Sequence, residues 1–227
     1  MVADSQHTLT SPMKSSACLL LACAIGLLIS SCATGPEYTL GPDGKPIDRD
    51  GNHYNPYEPG TYEHFKAEKD YPKTKNIWKN EALLSQTNSS NSRLVLSRKL
   101  QRGFLMKGEE VVIDYPISSG KSGHSTPGGS FKVLEKTVTK ASNLYGKVYD
   151  AEGNRVPGVE EPKDVPEGGS FVGAPMPYWM RLTNDGIGHH IGYVPRYPAS
   201  HGCIRGPRAI MPTVFRKVRI GTPVIVE

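Results

Sequence analysis

The chain has 227 residues, enough for one ordinary domain with extra segments or for two small domains. Nineteen prolines and 24 glycines argue against a mainly helical protein and for one rich in loops and strands. A net charge of +5 with no dense Lys/Arg tract reads as an ordinary solvated surface, at most suited to a cell envelope, and excludes a nucleic-acid footprint.

Residues 17–29, ACLLLACAIGLLI, form an apolar run too short to span a bilayer comfortably. Lys14 precedes the run and Ser30-Ser31-Cys32 follows it, which is the order of a secretory signal. Met13 is the expected translation start, because the residues before it add nothing that a signal needs. Ile29-Ser30-Ser31-Cys32 resembles the bacterial lipobox, in which the cysteine is lipidated and becomes the first mature residue. A cleavable signal with an incidental cysteine is the competing reading. The expectation is a signal over 1–31, lipidation at Cys32 and a membrane anchored through lipid. Ala33 is not the aspartate that holds many lipoproteins at the inner membrane, so the outer membrane is expected where a cell has two.

Residues 33–91 are polar, with GPDGKP, DRDGN and NPYEPG reading as turns and no helical or strand period. Glu63 to Lys69 is a weak helix candidate. The stretch 32–92 is therefore expected to be a lipidated cysteine on a flexible tether, closed by TNSSNS. A coil of roughly 60 residues would reach about 40–45 Å. A chain beginning near Ser92 is then expected to be soluble and active.

Order is expected from 93 to 227. RLVLS and EVVIDYPIS are rich in β-branched residues, with a turn at Lys107-Gly108 between them. SGKSGHSTPGG is a loop, SFKVLEKTVTK a strand, and KVYDAEGNRVPG a hairpin around Glu152-Gly153-Asn154. MPYWMRLT is a further strand, and the segment from His189 to Cys203 reads as a loop. PRAIMPTVFRKV makes one short helix if Pro212 falls in its first turn, and VIV near the C-terminus is a buried strand. Gly120-Lys121-Ser122 is not a phosphate-binding loop, since that motif needs glycine where Tyr115 stands.

With Cys18 and Cys23 removed in the signal and Cys32 lipidated, Cys203 is the one remaining thiol of an exported chain. Its neighbours, SHGCIR, are too polar for an inert core cysteine. Zinc binding by Cys203, His201 and His189 or His190 lacks the paired ligand spacing of structural sites, so no metal is expected. A nucleophilic thiol, with an ordinary pKa near ~8.5, needs a base, and histidine is the natural one. His201, two residues before Cys203, and the pair His189-His190 are the candidates. Gly202 permits a tight turn, and the N–H groups of Gly202 and Cys203 are candidate oxyanion donors.

Ser200-His201-Gly202-Cys203-Ile204-Arg205 resembles the signature of the L,D-transpeptidase (YkuD-type) family. GHHIGYVPRYPASHGCIR is similar to that family's short-spacing form, and Gln101, Pro116 to Gly120, Thr126-Pro127-x-Gly129-x-Phe131, MPYWMRL and GTPVIVE fall where the family has like elements. Arg196 replaces a common glycine and Gly206 a usual leucine, but no reacting group is missing. The resemblance implies a mainly β, mixed β-sandwich with a short helix near the C-terminus. It implies Cys203 as nucleophile, His190 as base and His201 in support, with Ser200, Arg205 and Tyr178 as candidate substrate contacts. The implied reaction attacks a peptidoglycan stem peptide, releases D-alanine and transfers the acyl group to an amine, or to water. No cofactor is implied. A non-catalytic peptidoglycan-binding module is the alternative, and the oligomeric state is left open.

Overall fold

The computed structural model describes residues 38–195 and 197–227, so the signal, the lipobox and Arg196 lie outside the described residues. From Tyr38 onward the chain forms one compact unit. In chain order its elements are β1 (Thr39–Leu40), β2 (Pro46–Ile47), α1 (Tyr62–Ala67), β3 (Trp78–Lys79) and α2 (Glu81–Gln86). There follow β4 (Ser92–Ser97), β5 (Arg102–Lys107), β6 (Glu110–Pro116), β7 (Gly129–Lys132), β8 (Glu135–Thr137) and β9 (Ala141–Tyr149). The last are β10 (Ser170–Pro175), β11 (Trp179–Arg181), β12 (Gly188–Ile191), β13 (Ile204–Gly206), α3 (Met211–Lys217) and β14 (Pro223–Val226). The fold is mainly β, as expected.

Two sheets carry the architecture. The larger has the order β3-β6-β5-β4-β14-β7 and the smaller β13-β12-β11-β8. Leu94, Leu96, Val224 and Val226 from the first meet Met180, Ile191 and Ile204 from the second, with Met211 and Val214 of α3, in one buried cluster. Each such side chain contributes about 1.5–3 kcal/mol by leaving water. The C-terminal helix has Pro212 in its first turn, where no intrahelical donor is lost. At its other end Lys136 donates to the carbonyls of Phe215, at 2.7 Å, and Val218.

Several elements differ from the sequence reading. RGFLMK is a separate strand, β5, hidden from a period-2 search because it is buried almost along its whole length. SFKVLEKTVTK divides between the sheets, with β7 on β14 and β8 on β11. The turn at Asp150 to Asn154 forms, but the strand before it pairs with β10, twenty residues farther on.

The expected tether is the largest correction. From Tyr38 it is folded, and part of it joins the large sheet: Trp78 and Lys79 pair with Asp114 and Ile113 of β6. Helix α1 is capped by Thr61, whose side chain accepts from His64 N–H. Arg102 and Asp114 form an ion pair at 2.6 Å with both side chains fully buried. The remaining guanidinium donors reach Thr74 O at 2.8 Å and Asn76 O at 3.0 Å. Tyr62 and Tyr71 donate to the second Asp114 oxygen at 3.0 and 3.1 Å. Composition suggested a polar coil because these polar groups find partners only on the distant sheet.

Candidate active site

The site forms where β12 and β13 run parallel. His189 pairs with Ile204, His190 with Arg205 and Ile191 with Gly206. Side chains alternate along a strand, so His189 and Ile204 face the core while His190 and Arg205 face the other way. Cys203 immediately precedes Ile204 and takes the face of His190 and Arg205. The two histidines therefore lie on a strand, not in the expected loop, and one backbone step separates their roles.

His189 is fully buried. Its Nε2 lies 3.0 Å from the Tyr115 hydroxyl and its Nδ1 2.9 Å from Ile204 O. Burial raises the Tyr115 pKa, so the phenol stays protonated and donates to Nε2 while Nδ1–H donates to the carbonyl. Both ring nitrogens are committed, and the ring ties β6 of the large sheet to the small one. His190 differs. Its Nδ1 donates to Ile191 O at 2.8 Å, which leaves the Nε2 lone pair with no partner among the described residues. Burial first, then the nearby Arg205 charge, lowers its pKa to about 4, so the ring is neutral at physiological pH. The Trp179 indole stands 5.9 Å from this ring, centroid to centroid. The same indole covers Gly188, where a Cβ would sit 2.4 Å from a ring carbon.

The Cys203 thiol is part-buried, and its Sγ lies 3.7 Å from Gly186 O. Desolvation raises its pKa, while the Gly188 amide and Arg205 oppose that rise. Thiol and imidazole are thus both neutral at rest, a combination that transfers a proton only as a substrate draws on the sulfur. The Arg205 backbone pairs with Ser118 in both directions at 2.9 Å, while its guanidinium makes no hydrogen bond or ion pair among the described residues.

A dense bracing holds the loop before the thiol. Gln101 accepts from Ser119 N–H at 3.0 Å and donates to Ser119 Oγ at 2.8 Å. Ser119 O accepts from Ala199 and Ser200 N–H. Ser200 Oγ donates to Cys203 O and accepts from Gly202 N–H at 3.1 Å. Thr126 Oγ1 donates to Gly202 O at 2.6 Å and accepts from Gly120 N–H at 2.8 Å. Gly202 has φ +115, which a side chain would strain.

A family model for the YkuD L,D-transpeptidase catalytic domain matches residues 91–226, more than half of the chain. The chain belongs to this family. Among solved structures it is similar to an L,D-transpeptidase from Mycobacterium smegmatis, at 24% identity and TM-score 0.46 over 60% of this chain and 58% of that one. A second is Mycobacterium tuberculosis L,D-transpeptidase 1, at 24% and 0.42, over 60% and 61%. A third is the C442S mutant of the Enterococcus faecium enzyme, at 26% and 0.44, over 61% and 50%. The chain spans between half and about three-fifths of these structures. No curated protein matches the chain in sequence.

Within this L,D-transpeptidase domain the sequence-predicted residues divide. Cys203, His190 and Arg205 share one face. His201 does not follow them, because Gly202 turns the chain between it and the thiol. Its ring stacks on Tyr145 of β9 at 4.3 Å, with His124 edge-on at 4.8 Å and Glu160 at 3.8 Å. Ser200, a candidate substrate contact, is 1% exposed and spends its hydroxyl inside the loop. Tyr178, with φ +57, packs edge-on against Phe215 of α3, 5.4 Å between centroids. Of the two proposed oxyanion donors, Gly202 N–H is already engaged by Ser200, whereas Cys203 N–H has no partner among the described residues. Sequence reasoning missed the parts played by Tyr115, Trp179 and Thr126, which depend on contacts across the fold and leave no local pattern.

Proposed function

We propose that the protein is a peptidoglycan L,D-transpeptidase that works through a Cys203 thioester. The observation that supports this reading is the register of β12 on β13, which pairs His190, with its Nε2 unpartnered among the described residues, with Arg205, two residues after Cys203. Sγ attacks the carbonyl of the third stem residue as His190 Nε2 takes the thiol proton. The Sγ–C bond forms and the carbonyl π pair moves to oxygen. When that pair returns, the C–N bond to D-alanine breaks, and the leaving amine takes its proton from His190. An amine acceptor, from a second stem or a protein lysine, then attacks the thioester carbonyl as His190 accepts its proton; the C–S bond breaks, and the Cys203 sulfur leaves with the electron pair and takes the proton back from His190. Water in that role gives a carboxypeptidase from the same acyl-enzyme. The Arg205 guanidinium, which makes no hydrogen bond or ion pair among the described residues, is the group assigned to a substrate carboxylate in this reading.

Incubating the full chain with tetrapeptide muropeptides and measuring intact mass tests the mechanism. The expected result is a Cys203 adduct lacking D-alanine, absent in Cys203→Ala and formed about 10²–10⁴-fold more slowly in His190→Ala. Turnover in Cys203→Ala would sink the reading. Binding without any adduct would favour a non-catalytic wall-binding module. The finer reading of location is a lipoprotein, processed after Ser31 and anchored through Cys32, in the periplasm and at the outer membrane of a double-membraned cell; it rests on the lipobox resemblance.

A further inference from the structure

We propose that Thr126 is a positioning residue for this reaction, its hydroxyl orienting the Gly202–Cys203 peptide so that Cys203 N–H binds the oxyanion. The inference rests on the acyl-transfer reading of Cys203. Thr126 is 2% exposed, and its hydroxyl is fully used, accepting from Gly120 N–H and donating to Gly202 O at 2.6 Å. A trans peptide points its C=O and N–H in opposite directions. Holding Gly202 O against Thr126 therefore turns Cys203 N–H away from that wall. This N–H makes no hydrogen bond among the described residues, although its neighbours on both sides are tightly braced. In-place donors with no resting partner are what a developing oxyanion requires.

The geometry also explains why an external anchor is needed. Gly202 sits at φ +115 and, lacking a Cβ, offers little resistance to rotation of the peptide that follows it. If that peptide flipped, it would aim a carbonyl oxygen at the site, where it would repel the negative charge forming on the substrate. The Thr126 bond opposes that flip from one end, and the Ser200 bond to Cys203 O opposes it from the other. Thr126 itself touches no reacting atom.

The test compares full-length wild type, Thr126→Val, Thr126→Ser and Cys203→Ala in two reactions. One is acylation by tetrapeptide muropeptides, followed by D-alanine release. The other is alkylation of Cys203 by iodoacetamide, which attacks an sp³ carbon and forms no oxyanion. Thr126→Val keeps shape and loses the hydroxyl; it should acylate about 10–100-fold more slowly, with KM little changed. Its alkylation should stay within about twofold of wild type, because neither thiol nor base is disturbed. Thr126→Ser should restore acylation to within about threefold, since the donor is returned. Wild-type acylation in Thr126→Val, while Cys203→Ala is inactive, overturns this inference alone. Equal losses of acylation and alkylation in Thr126→Val, or no rescue by serine, would reduce Thr126 to a structural part and overturn it as well. Turnover in Cys203→Ala overturns the acyl-transfer reading and this inference with it.

Discussion

Two adjacent histidines differ because strand alternation sends one ring into the core and the other to the opposite face of the strand. Burial lowers both pKa values to about 4, from an ordinary 6.5. A group whose folded pKa is depressed gives its full stability above the unfolded pKa and loses it as pH falls toward the folded value. Stability should be complete above about pH 6.5 and decline toward pH 4, by on the order of 3 kcal/mol for each ring. His189→Ala leaves the Tyr115 hydroxyl without its partner and empties a fully buried site, so it should cost about 2–4 kcal/mol at pH 7.5 and weaken the decline on acidification. Urea unfolding at pH 7.5, 6 and 5 measures both effects. A variant as stable as wild type at pH 7.5 would show that the ring does not tie the two sheets.

At the level of elements, the small strand β3 and helix α1 close the edge and face of β6. Their consequence is the fully buried Arg102–Asp114 pair, whose outer partners all come from residues 62–76. A buried ion pair is tolerated only while its remaining donors and acceptors are satisfied. A chain beginning at Ser92 would lose two hydroxyls and two carbonyls from that network, and expose the β6 edge. It should be destabilised by about 3–5 kcal/mol relative to one beginning at Tyr38, which should match the full chain. Thermal melts of the two truncated chains decide the matter; equal melting temperatures would mean that the segment is a passive wrapping. The sequence-based expectation that a chain from Ser92 stands alone predicts equal melting temperatures instead.

For the whole molecule, the folded segment changes how far an anchored enzyme can work. Only residues 33–37 separate Cys32 from the first described residue, in place of a tether of roughly sixty. Five residues reach at most roughly 20 Å when fully extended, against the 40–45 Å of the expected coil. A lipid on Cys32 would hold the catalytic unit within that distance of the membrane. In a bacterial host, the wild type should fractionate with membranes, and Cys32→Ala should remain unprocessed at the lipoprotein signal site. Mature wild-type protein free in the periplasm or medium would reject the anchor and leave the catalytic chemistry untouched.

The family and the mainly β class were legible in the sequence because they depend on short-range patterns. SHGCIR is contiguous, β-branched runs declare strands, and Pro212 marks the start of α3. The partners of these residues were not legible, because each comes from a distant segment. Nothing in the sequence around Arg102 announces that Asp114 pairs with it or that Tyr62 and Tyr71 donate to that carboxylate. The hydroxyl of Ser200, a candidate substrate contact, is held by Gly202 N–H and Cys203 O within the loop, a use that its sequence neighbours do not announce. The sequence by itself determined which groups are chemically able to react. Only the tertiary structure decided which of them face one another, since the register of β12 on β13 is set by the core beneath the sheet.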